Sequence, residues 1–141
     1  MQKNLSRHRR LIYLIVSFLT AIAGLTARFA PLGLPWIVVK YAGSALWAAM
    51  IYWVLALAWP QSNVTRLALT SGAIATVTEL SRLYHVAWLD TFRVSLPGII
   101  LLGRYFSVRN IVAYWLAIVA GAVFDAVVLR RQVDSALLES N

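Results

Sequence analysis

Residues 41–59, YAGSALWAAMIYWVLALAW, decide the fold: nineteen consecutive positions without a charge. At about 1.5 Å per residue a helix of that length extends roughly 28 Å, close to the ~30 Å hydrocarbon core of a bilayer. Trp36 and Tyr41 precede or open the stretch and Trp59 closes it, where amphipathic rings suit a membrane–water interface. Lys40 bounds it on one side and the turn residues Pro60-Gln61-Ser62-Asn63 on the other.

Similar stretches lie on both sides. Residues 11–27 run seventeen positions without a charge after a basic leader, MQKNLSRHRR. A basic stretch before an apolar one also describes a signal peptide, with Ala21-Ile22-Ala23 as its cleavage site. A retained first helix is the simpler reading, because the remaining chain is membrane-embedded in any case. Residues 110–129 form the last span, closed by Arg130-Arg131. The weakest is the third, since residues 67–78 give only twelve uncharged positions. It has to extend, to about 65–85, and then carries Arg66, Glu79 and Arg82. Pro31 and Pro35 make 28–40 a loop or interfacial piece. Between 82 and 109, residues 94–103 are too few to cross and too apolar for a free loop, and Pro97-Gly98 reads as a break. An interfacial or re-entrant segment is expected there.

Composition agrees with this reading. Of 141 residues 61% are hydrophobic and 13% charged, so the chain is too apolar for a soluble domain and too poor in charge for disorder. Thirteen Lys and Arg against five Asp and Glu give +8, but these cations flank apolar runs rather than form a nucleic-acid patch. With no cysteine, thiolate chemistry and Cys-based metal sites are excluded. No metal or cofactor is expected. The expected fold is thus an all-α integral membrane protein, one domain over 1–141, a bundle of four transmembrane helices. Both termini then share a side. The basic N-terminal tail and Arg130-Arg131 favour the cytoplasm for it, although the basic residues divide only seven against six.

Small residues at helical spacing, Ala113, Ala117 and Gly121, with Gly24 and Gly72 in the first and third helices, predict close helix packing. An interface within one bundle is the plain reading and a homo-oligomer seam the sharper one. Glu79 and Asp125 are acids within spans, where a carboxylate must be paired, protonated or wet. Glu79 is expected to pair with Arg82 or Arg28, and Asp125 to be held near the surface by Arg130 and Arg131. His85 reads as an interfacial structural residue, and Asn63-Val64-Thr65 as a chance sequon match. Glu79, His85 and Asp90 make no catalytic constellation, since no nucleophile is marked. Six basic residues, Arg28, Lys40, Arg82, Arg93, Arg104 and Arg109, gather on the outer side with Glu79 and Asp90. Guanidinium forks suit phosphate, so Arg82, Arg93, Arg104 and Arg109, positioned by Glu79 and Asp90, form a candidate site for an anionic lipid or lipid-linked phosphate. Generic attraction to anionic lipid is the bland version.

The stretches KYAGSALWAAMIYWVL (40–55), TELSRLYHVAWLDTFR (78–93) and RYFSVRNIVAYWLAIVAGAVFD (104–125) resemble a bacterial inner-membrane family of unknown function. That family is similar in pattern to the VanZ-like proteins, whose founding member is linked to glycopeptide resistance. The resemblance implies four membrane helices, an inner-membrane location and an envelope role, with no established reaction. Three positions depart from the pattern: Ser44 and Asn110 stand where acids are usual, and Arg82 where glutamine is usual. The leading expectation is an accessory protein that recognises lipid, alone, as a homo-oligomer or within an envelope complex. A small oligomeric transporter or proton-coupled carrier using Glu79 and Asp125 is the alternative. A lipid-modifying enzyme comes third.

Overall fold

Four long helices alternate in direction, and their order follows from the apolar runs. In the computed structural model, which describes residues 2–30, 33, 35–102 and 105–131 (side chains of 2–5 and 28 excepted), these are α1 (Gln2–Phe29), α2 (Trp36–Ala58), α3 (Val64–Ser81) and α6 (Val108–Phe124). Two short helices, α4 (Ala87–Val94) and α5 (Leu96–Leu101), fill the connection between α3 and α6. No strand occurs among the described residues. Among the described residues, three segments are long and apolar enough to cross a membrane: Ser6–Ala27, Trp36–Ala58 and Val108–Leu129. The third helix, with Arg66, Glu79 and a high share of Ser and Thr, is not one of them. α1 packs chiefly on α2, α2 on α6, and α3 on both α6 and α2. One end of the bundle therefore holds the α2–α3 turn, the start of α1 and the end of α6. The other holds α4 and α5.

Local chemistry sets the helix ends. α2 starts directly after Pro35, so the loop expected over 28–40 is much shorter and Lys40 lies within the helix. Proline is tolerated at a helix start, where its missing N–H has no partner anyway. At the start of α3, Asn63 accepts from the Thr65 N–H at 2.9 Å, a side-chain cap. α3 stops at Ser81 rather than near 85. The break in the third connection falls at Ser95, not at Pro97-Gly98. Ser95 ends α4 and caps α5, donating to the Phe92 carbonyl at 2.6 Å and accepting from the Gly98 N–H at 3.3 Å. Pro97 sits in the first turn of α5, again the tolerated place. Gly98 has to be glycine, because a Cβ there would collide with the backbone of Phe92 and Arg93.

The core is built from small and aromatic residues: Ala48, Ala56 and Ala75 beside Tyr13, Tyr52, Trp53 and Tyr114. Alanines let backbones approach, which favours association in an apolar solvent. Large apolar side chains such as Leu11, Phe18, Leu69, Leu116 and Val123 point outward. On α6 the fully buried stripe is Asn110, Tyr114, Ile118 and Ala122. Ala113, Ala117 and Gly121 form its half-buried flank, one position off that stripe. Gly121 borders the Trp53 ring, Gly24 borders Leu46, and at Gly72 the Trp115 ring occupies the space a Cβ would need. After Phe124 the helix loosens into a π-turn, Asp125–Leu129; Asp125, three residues after Ala122, continues the buried stripe, and Leu129 is buried too.

Candidate functional site

Glu79 stands in the last turn of α3 and is fully buried. A carboxylate so placed needs a donor for each lone-pair direction. The Ser107 backbone N–H and the Asn110 side-chain amide donate to Oε1 at 2.8 and 3.1 Å, and the Tyr114 hydroxyl donates to Oε2 at 2.5 Å. Arg82, one turn on, makes the expected ion pair with Oε2 at 2.6 Å. The remaining donors of Arg82 are also used. Its Nε donates to the Leu102 carbonyl, Nη1 to the Tyr105 carbonyl at 3.1 Å and Nη2 to the Tyr114 hydroxyl at 3.4 Å. Arg82 thus fastens the end of α5 and the approach to α6 onto α3. Two of the three departures from the resembled pattern, Arg82 and Asn110, both touch Glu79 and leave the pair neutral overall.

Arg93 is 3% exposed and serves as a second clamp. Its Nη1 donates to the Tyr84 carbonyl at 2.8 Å and to Asp90 Oδ1 at 3.0 Å, and its Nη2 to the Ser81 carbonyl at 2.5 Å. It therefore ties down the turn after α3, where the Ser81 carbonyl also accepts from the Tyr84 N–H at 3.0 Å. Asp90 is half exposed and also lies 3.3 Å from His85 Nδ1.

The six outer cations therefore do not make one open phosphate cradle. Arg82 and Arg93 turn inward and are spent on carbonyls. Lys40 lies over the Trp36 and Tyr41 rings, 5.4 and 5.6 Å from their centroids. Arg109 is exposed at the start of α6. Arg104 and the Arg28 side chain lie outside the described residues.

At the opposite end Asp125 is fully buried rather than interfacial. The Tyr13 hydroxyl donates to Oδ1 and the Tyr52 hydroxyl to Oδ2, each at 2.7 Å. Arg130 Nε reaches Oδ2 at 3.3 Å. Three helices, α1, α2 and α6, meet on this one carboxylate. Sequence reasoning missed the tyrosines. The available signal was their depth: Tyr52 and Tyr114 lie well inside apolar spans, where a hydroxyl needs a partner and an acid in another span supplies it.

An apolar crevice of about 260 Å³ opens between α1, α2 and α5, lined among others by Gly24, Gly43, Leu46, Trp47 and Leu101. Its wall at Trp47 packs against Tyr114, with ring centroids 5.5 Å apart and the rings tilted by 49°. Its roof at Leu101 adjoins Leu102, whose carbonyl Arg82 holds. The Glu79 network thus shapes one side of the crevice, while Lys40 stands one helical turn before Gly43.

No solved structure matches the chain. A family model described as protein of unknown function (DUF2809) matches residues 33–125, from the start of α2 to Asp125, and so takes in both buried carboxylates. The chain belongs to this DUF2809 family of unknown function.

Proposed function

We propose that the protein is a membrane binding or accessory protein that seats part of an anionic lipid, or of a lipid-linked phosphate, at its α4–α5 end. The observation that supports this reading is the apolar crevice beside the Glu79–Arg82 network. Its volume lies just below the roughly 300–1,000 Å³ of small-molecule pockets and suits a section of acyl chain. Lys40 on α2 and Arg109 on α6 remain as cations for a head group. Arg82 and Arg93 act here by holding the roof and the helix end rather than by meeting the phosphate. In this reading α3 is a fourth crossing. Its eighteen residues reach about 27 Å, and its two charges sit near its ends. α4 and α5 lie at the head-group level, the termini are cytoplasmic, and the setting is an inner membrane with a VanZ-like envelope role.

The test is lipid retained through detergent purification, measured by native mass spectrometry. Gly43 lines the crevice and no atom lies within 4 Å of a Cβ built on it, so Gly43→Phe adds its bulk from an open position on that wall. The expected result is about tenfold less retained lipid, near 1.4 kcal/mol of binding, with an unchanged unfolding temperature. Occupancy equal to the parent's contradicts the reading.

A further inference from the structure

We propose a second anionic-lipid site at the opposite end of the bundle, where Arg10 of α1 and Arg66 of α3 receive a lipid phosphate. Both arginines line an open hollow of about 540 Å³ between the start of α1 and the α2–α3 turn. Trp59, Ser62 and Asn63 complete its wall. Neither arginine side chain makes a hydrogen bond or ion pair among the described residues, and both are exposed. That sets them apart from Arg82 and Arg93, which turn inward onto backbone carbonyls and a carboxylate. Two planar forks beside a hydroxyl and an amide match the oxygens of a phosphodiester.

The lipid source follows from the neighbouring surface. Arg10 also borders a second hollow of about 720 Å³, which continues over Leu11, Leu14 and Leu57. Leu11 and Leu14 are 57% and 52% exposed and belong to a segment apolar enough to cross a membrane. A phosphate at Arg10 thus has an apolar path for its acyl chain leading down α1 toward the hydrocarbon. A free phosphate would use only the upper hollow. Trp59, 60% exposed, lies at the depth where indoles meet head groups.

This site lies at the other end from the crevice and stands or falls separately. Native mass spectrometry of the full chain with added phosphatidylglycerol or phosphatidylcholine tests it, in the parent and in Gly43→Phe, which adds bulk at the crevice wall. In both backgrounds Arg10→Gln with Arg66→Gln should cut phosphatidylglycerol binding about tenfold, the loss of roughly one charge-assisted contact. Arg10→Lys with Arg66→Lys should also weaken it severalfold, because the charge stays and the fork is lost. Both double variants should fold like the parent, since these side chains hold nothing together. Undiminished binding in the glutamine pair overturns the site. Parent-like binding in the lysine pair reduces it to diffuse attraction and overturns the specific site. Displacement by millimolar inorganic phosphate overturns the lipid assignment.

Discussion

The two ends of α6 solve the same problem differently. Each buries one carboxylate completely, and each sets against it at least one tyrosine hydroxyl and one arginine. Around Glu79 three donors come from one stretch, the Ser107 N–H and the Asn110 and Tyr114 side chains at the start of α6, and the fourth is Arg82 just past the end of α3. Around Asp125 the donors come from afar, with Tyr13 on α1 and Tyr52 on α2. The Glu79 cluster closes a connection, and the Asp125 cluster clasps three helices. Their arginines differ too. Arg82 shows 9% of its side chain and contacts Glu79 at 2.6 Å, whereas Arg130 shows 17% and reaches Asp125 at 3.3 Å. Charge compensation is thus concentrated at Glu79, while Asp125 relies chiefly on neutral hydroxyls.

That contrast can be broken by substitution. The largest effect is expected for Glu79→Gln, which leaves Arg82 buried against carbonyls without its counter-charge. Removing one member of a buried pair costs about 3–5 kcal/mol, to be read from unfolding in detergent micelles. Tyr52→Phe comes next. It withdraws one of two close donors from a buried carboxylate and should cost about 1.5–3 kcal/mol, with Tyr13→Phe similar. If either tyrosine change is silent, Asp125 is not the clasp. Arg93→Lys keeps the charge but loses the fork across Ser81 and Tyr84, so about 1–3 kcal/mol should go, with faster proteolysis after residue 81. The smallest effect is Asp90→Asn, whose carboxylate is 44% exposed; no more than about 1 kcal/mol is expected.

Much of this was legible in the sequence. The charge-free runs placed α1, α2 and α6, and the spacing of Glu79 and Arg82 foretold their pair, since residues three apart share a helix face. The burial of Asp125 follows from its register, three residues after Ala122 and seven after Ile118 on the buried stripe, but the neighbouring Arg130-Arg131 pair pointed to a surface position instead. The fate of Arg93 was hidden for a related reason. Its value as a phosphate fork and its value as a cap for carbonyls rest on the same donors. Only the place where α3 ends decides between them. Of the small residues, Gly24, Gly72 and Gly121 each meet a residue of another helix, while the fully buried stripe of α6 runs one position on from Ala113, Ala117 and Gly121 and includes the larger Tyr114 and Ile118, whose place their size alone did not announce.

The most direct test of the central claim, that Glu79 and Arg82 form one buried unit that closes the α4–α5 end, is a double-mutant cycle. Glu79→Gln, Arg82→Gln and the double variant are compared by unfolding free energy in the same micelles. The two side chains share an ion pair and a tyrosine, so the account predicts a coupling of roughly 1–3 kcal/mol, with the double variant less damaged than the sum of the singles. Strictly additive losses would contradict it.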